Sequence, residues 1–173
     1  MATSLRTSIA TIAMLLAWIS AARAQDAPRM QIGASGGTIV SWFTEAYFGG
    51  DVRVTTPVNE NGDVEVLAGI PSAEARREGL AGFYAVQYRQ RIRKGATATL
   101  QPFATYGAMG LVMPGSDPVI LPPFIGLVGG GVERRFAGGV ALRVEAQGVV
   151  AIIVPAGIRM AAGLTVPIGP PRR

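Results

Sequence analysis

Eight segments of the chain alternate apolar and polar residues with period two, at about 30–42, 48–58, 63–70, 81–92, 97–112, 121–133, 139–153 and 157–168. Val, Ile, Thr and aromatic residues fill them, and Gly, Pro and Asn divide them, which predicts strands joined by turns. Successive side chains leave a strand by opposite faces, so the parity of the residue number separates one face from the other. Within these spans the charged residues are Asp51, Arg53, Asp63, Glu65, Arg89, Arg91, Glu133, Arg143, Glu145 and Arg159, and all ten are odd-numbered. Even positions are apolar in long runs, such as Val52, Val54, Val64, Val66 and Ile70, then Val140, Leu142 and Val144, then Ile158, Met160, Leu164 and Val166. Gln90 is the clearest polar exception, near a strand end. The pattern predicts an all-β fold of eight antiparallel strands with one apolar face and one ionic face. Ser72 to Glu78 has good helix formers but would make two turns at most, and it reads as a loop between the third and fourth strands.

The turns are expected to preserve this parity. An even residue faces an even residue across a hairpin only when the loop has an odd number of residues, and three-residue loops favour Gly at the last position. Glu60-Asn61-Gly62 would set Val58 opposite Val64 and Thr56 opposite Val66. Arg93-Lys94-Gly95 would set Tyr88 opposite Leu100, and Phe136-Ala137-Gly138 would set Val132 opposite Leu142. A two-residue turn at Asn61-Gly62 would put Val58 across from Glu65 and is rejected on register.

Before these strands comes a different pattern. Arg6 precedes an apolar stretch from Ile9 to Ile19, and Ala22-Arg23-Ala24 follows with small residues at the two positions that govern cleavage. This order reads as a secretory signal peptide, residues 1–24, forming a helix and removed after Ala24, which leaves residues 25–173 as a single β-barrel domain. Beyond Gln25 no apolar run reaches the length of a transmembrane helix, so any membrane anchoring falls to strands.

Composition removes most familiar chemistry. The 173 residues include no His and no Cys, which excludes Ser-His and Cys-His catalysis, His-ligated metals, disulfides and thiolate zinc. Gly129-Gly130-Gly131 lies within a strand and lacks the Lys and helix of a phosphate loop. The net charge is +5, fifteen of the sixteen basic residues being Arg, with no basic run suited to nucleic acid. No catalytic, cofactor-binding or metal-binding residue is expected, and no cofactor.

Which face is inside decides the class of function. In a soluble sandwich or lipocalin-like barrel the apolar face would be the core. Three features favour the inverse. The odd face carries Gly33, Gly37, Gly107, Gly129, Gly131 and Gly163 beside Phe103 and Leu127, as a narrow interior requires. Its charges balance, five carboxylates against five guanidiniums, which suits a lumen filled by Arg–carboxylate pairs. Aromatic residues gather at one rim, with Trp42, Phe43, Tyr47 and Phe48 around the first loop and Phe83, Tyr84 and Phe124 opening later strands. A charge facing the bilayer midplane costs roughly 2–4 kcal/mol, so ten of them would exceed a domain's net stability of about 5–15 kcal/mol. In a membrane the odd face is the lumen. Short turns after the second, fourth and sixth strands and longer loops at the other end match the periplasmic and outer ends of a bacterial outer-membrane barrel.

These features resemble the small eight-stranded outer-membrane β-barrels, the class of the OmpA transmembrane domain and OmpX. The residues that carry the resemblance are Gly129-Gly130-Gly131-Val132-Glu133-Arg134-Arg135-Phe136, Val140-Ala141-Leu142-Arg143-Val144-Glu145 and Gly157-Ile158-Arg159-Met160-Ala161-Ala162-Gly163-Leu164. The terminal aromatic residue usual in that class is absent, the sequence closing Ile168-Gly169-Pro170-Pro171-Arg172-Arg173. The resemblance implies an up-and-down transmembrane barrel in the bacterial outer membrane. It would be a monomer in contact with outer-membrane lipid, with a structural or surface-interaction role and a surface ligand met through its outer loops. Enzymes of that membrane with such barrels rely on a histidine, and none is present, so the resemblance implies no enzymatic activity. Two other readings remain open: an exported soluble lipocalin-like barrel that binds a small apolar ligand, and a narrow pore.

Overall fold

The computed structural model describes residues 30–41, 47–77, 79–92, 100–115, 119–136, 139–151 and 154–168. The expected signal peptide lies outside the described residues. The strands are β1 (Gln31–Ser41), β2 (Tyr47–Asn59), β3 (Gly62–Pro71), β4 (Gly82–Arg91), β5 (Leu100–Met113), β6 (Val119–Ile120), β7 (Ile125–Arg135), β8 (Ala141–Ala151) and β9 (Val154–Pro167), and the one helix among the described residues is the short α1 (Ala73–Arg77). All pairings are antiparallel, each long strand bonds to the next along the chain, and β9 returns to β1, from Gln31↔Pro167 to Ser41↔Gly157. Eight strands therefore close a barrel and leave no edge. The two-residue β6 pairs with the end of β5 and belongs to the connection above the barrel.

Parity survives nearly the whole circuit, since odd residues pair with odd and even with even through every ladder apart from two irregularities. Both irregularities lie at prolines, which cannot donate to a ladder and are confined in sheets to edges, first positions and bulges. In β2 the pairing passes from Pro57↔Asp63 to Asn59↔Gly62 and skips Val58; in β9 it passes from Val149↔Gly157 to Val150↔Pro155 and skips Ala156.

The bulge at Val58 corrects the first expected hairpin. The turn is the two-residue Glu60-Asn61, with the Asn61 backbone N–H donating to Asn59 Oδ1 at 2.9 Å, and Thr56 faces Val64 rather than Val66. One bulged residue added to a two-residue turn yields the odd count that parity demands. The other two hairpins are longer than expected. Tyr88 faces Tyr106 rather than Leu100, and Val132 faces Val144 rather than Leu142. The expected turn Arg93-Lys94-Gly95 lies outside the described residues, and the connection there runs from Ile92 to the start of β5 at Leu100. Turn lengths at this end are thus unequal. At the other end β9 already begins at Val154, where a loop was expected.

Ser72 to Glu78 also differs from expectation, because Ala73–Arg77 is helical. Ser72 caps it, its Oγ accepting from the Ala75 N–H at 3.3 Å and its carbonyl from the Arg76 N–H at 3.0 Å. Gly79, at φ 94°, takes the left-handed conformation that ends the turn, and the Leu80 N–H bonds back to the Ala75 carbonyl.

Barrel shape depends on aromatic residues laid over glycines across neighbouring strands. Phe83 faces Gly69, Phe103 faces Gly131 and Tyr84 faces Gly110, and in each pair a Cβ on the glycine would strike the ring. Each ring covers bare backbone that would otherwise lack packing.

Candidate functional site: the barrel interior

The outer surface of the barrel is apolar at the even positions. Val52, Ile70, Val86, Tyr106, Val128, Val144, Met160 and Leu164 are all about half exposed or more. The odd positions turn inward and bury polar and charged side chains, an inversion of the soluble pattern.

The interior has two parts. Towards the end that carries α1 and β6, Leu67, Ala85, Met109, Ile125, Leu127 and Val149 form an apolar layer, with Ile39, Phe83, Leu111 and Ala156 packed against it. Phe83 is thereby corrected: it was expected in an aromatic girdle and instead points inward. Phe124 is exposed at that rim, and the Tyr84 hydroxyl donates to the Leu121 carbonyl at 2.7 Å. Trp42, Phe43 and the side chains of Tyr47 and Phe48 lie outside the described residues.

Below the apolar layer, the ten charged residues named from the sequence form one continuous network. Asp51 accepts from Arg159 Nη2 at 2.5 Å, Ser35 Oγ at 2.6 Å and Arg53 Nη2 at 3.1 Å. Glu145 takes both terminal nitrogens of Arg53, at 3.1 and 3.3 Å, and Arg159 Nη1 at 2.6 Å. Arg143 spans two carboxylates, with Nη1 donating to Glu65 at 2.5 Å and Nη2 lying 2.5 Å from Glu145. Arg89 joins Glu65, Asp63 and Glu133, and Arg91 donates to both oxygens of Asp63 at 2.6 and 2.9 Å. Phe103, buried among these ions, receives the Arg143 guanidinium on its ring at 4.3 Å and that of Arg89 at 5.7 Å.

Counting charges alone missed the neutral members. Gln147 donates to the Gln87 carbonyl at 2.7 Å and to Thr105 Oγ1 at 2.9 Å, and accepts from Arg159 at 2.9 Å. Gln87 donates to Glu65 at 2.7 Å, and Thr55 to the same carboxylate at 3.2 Å. All are odd-numbered, so parity applied to every polar residue would have found them. Arg135 was missed because β7 runs two residues past the expected end; its Nε donates to Glu133 at 2.9 Å. The same extension exposes Arg134 at an even position, facing outward.

A cavity of about 40 Å³ lies beside Asp51 and Arg159 under Leu80, room for a few water molecules at most. Among the described residues no three metal-ligating side chains converge, and the carboxylates face guanidiniums.

A closed, eight-stranded, up-and-down antiparallel barrel with apolar walls outside and paired ions inside defines the fold of the small OmpA-like barrels. Among solved structures it is similar to the N-terminal β-barrel domain of OprF from Pseudomonas aeruginosa, with a TM-score of 0.58 over 82% of this chain and 99% of that one. Sequence identity is 10%, so the likeness is one of fold. No protein-family model matches the chain, and no curated protein matches its sequence.

Proposed function

We propose that this protein is an integral outer-membrane β-barrel, monomeric, with a structural or surface-interaction role and an interior plugged by its own side chains. The observation that carries this reading is the inversion itself: charges are sequestered within the barrel while its apolar side chains cover the outside. In water that arrangement would expose a continuous apolar belt far larger than the patches soluble monomers tolerate. In lipid it satisfies both faces, because a closed barrel leaves no unpaired strand edge. Interaction with a surface ligand would fall to the connections at the α1 end.

A lipocalin-like role would need an apolar lumen with room for a ligand, whereas buried charged side chains line the middle of this lumen, which favours the membrane reading. Plugging has two layers in this reading, the apolar one at the α1 end and the ionic one beneath it. The test has two parts. Folded and boiled samples of the extracted protein should migrate differently on a detergent gel, and identical migration would refute the membrane barrel. In a planar bilayer the folded protein should produce no conductance steps. Steps whose ion selectivity changes on substituting Arg89 or Arg143 would replace the plug with a narrow pore.

A further inference from the structure

Charge is not balanced at the end of the barrel opposite α1. There β4, β5 and β7 run side by side, and the two buried carboxylates Asp63 and Glu133 meet the guanidiniums of Arg89, Arg91 and Arg135, with Arg134 beside them and Glu60 in the β2–β3 turn as the third carboxylate of this end. The sequence adds Arg93 and Lys94 between β4 and β5, without an acidic residue. At the α1 end the connections carry Arg76 and Arg77 against Glu45, Glu74, Glu78 and Asp117. The basic excess therefore belongs to one end.

Arg134 differs from the interior arginines. It occupies an even, outward position, paired in register with Leu100 on one side and Leu142 on the other, both exposed, with the exposed Val132 two residues before it. Among the described residues it has no carboxylate partner. Its guanidinium lies over the exposed ring of Phe136, 5.4 Å from the centroid. An arginine on the lipid face costs roughly 2–4 kcal/mol at mid-bilayer and close to nothing at the interface, so Arg134 marks headgroup height. Aromatic residues favour that level too. The guanidinium fork matches a phosphate bidentately.

We infer that the rim at the ends of β4, β5 and β7 binds the phosphate of an anionic phospholipid, with Arg134 as its principal contact. The inference rests on the membrane-barrel reading and goes beyond it by naming a lipid class and a place. The surplus positive charge beside Arg134 selects an anionic headgroup over a zwitterionic one, because each basic residue near the surface favours anionic lipid about fivefold.

The test is native mass spectrometry of the folded full-length protein in detergent, with added phosphatidylglycerol or phosphatidylcholine of matched acyl chains. The wild type should retain phosphatidylglycerol preferentially. Arg134→Gln should lower that retention about fivefold, and a further Arg135→Gln should lower it again, while Arg76→Gln at the opposite end changes nothing. Arg134→Lys, which keeps the charge and gives up the fork, should fall between wild type and Arg134→Gln, and it serves if Arg134→Gln does not fold. Equal retention of the two lipids, or no loss with either Arg134 variant, overturns the inference. So does displacement of bound lipid by excess soluble glycerol phosphate, which would make the site one for free phosphate esters. Binding of a soluble polyanion such as cell-wall glycopeptide that depends on Arg134, with no lipid preference, also overturns it. Heat-modifiable migration is scored separately in the same samples, so a failure of the barrel reading is distinguishable from a failure of lipid selection.

Discussion

Neutralising Glu145 probes the interior network at its most connected point. Its carboxylate lies 3.1 Å from Arg53, 2.5 Å from Arg143 and 2.6 Å from Arg159, and its side chain is almost wholly buried. Glu145→Gln keeps the shape and removes the charge, leaving three buried guanidiniums with one carboxylate fewer. Removing one partner of a buried ion pair costs about 3–5 kcal/mol, because the surviving charge stays desolvated. With a urea dependence near 2 kcal/mol per molar, the unfolding midpoint in lipid vesicles should fall by roughly 1.5–2.5 M. The loss is followed as the disappearance of the folded band on an unboiled gel. Arg135→Gln is the control, because Arg135 is 45% exposed, and a pair of that kind contributes about 1 kcal/mol or less. Adding Arg143→Gln to Glu145→Gln restores the balance of charge and should recover part of the stability. If Glu145→Gln costs no more than Arg135→Gln, the lumen is wet and the ions are screened, and the argument for a filled interior fails.

The outer wall yields a complementary test. Val86→Arg places a charge at an exposed position flanked in register by Val66 and Ala108; it should cost roughly 2–4 kcal/mol in vesicles, whereas in a soluble barrel such a surface change stays within about 0.5 kcal/mol. Gly131→Ala should destabilise by about 1–3 kcal/mol, measured by the same titration, because the new methyl would land on the Val144 carbonyl and the Phe103 ring. Ser72→Ala removes the α1 cap and should cost about 1 kcal/mol locally, read as faster hydrogen exchange at Ala75 with the barrel amides unchanged; uniform acceleration throughout the barrel would mean that α1 is integral to it.

The sequence was most legible where physics imposes period two. Ten odd-numbered charges anticipated which side chains meet in the lumen, because antiparallel pairing with odd offsets carries parity from strand to strand around the circuit. Exact registers were less legible. Hairpin offset depends on how many residues a turn absorbs, and Pro57 favours a bulge that an alternating pattern does not record. The apolar layer was obscured for another reason. Leu67, Ala85, Met109 and Val149 share odd numbers with the charges, and the two groups separate only by height along the axis, which needs the tilt and stagger of the strands. Phe83 shows the same limit, since its number placed it inside while its position near a rim suggested a girdle. α1 was misread because its stability comes from the Ser72 cap and burial of Ala75 against the barrel rather than from its own length.

The apolar layer and the ion network depend on each other. Ion pairs gain strength as water is excluded, and the same exclusion makes every unpaired charge costly. At the α1 end Leu67, Met109 and Ile125 form an apolar layer, and Ile39, Leu80 and Phe83 line the space beside Arg159 and Asp51, so those ions have apolar neighbours. At the opposite end no such layer forms among the described residues, and the network runs out through Arg91 and Arg135 into increasing exposure. Pairing in the lumen should therefore be strongest beside the apolar layer and weakest at the basic rim. That gradient follows from geometry alone: each guanidinium nearer the rim trades a protein partner for solvent. The surplus arginines are tolerated only where such exchange is available, which is why Arg134 and Arg135 stand at the last two positions of β7.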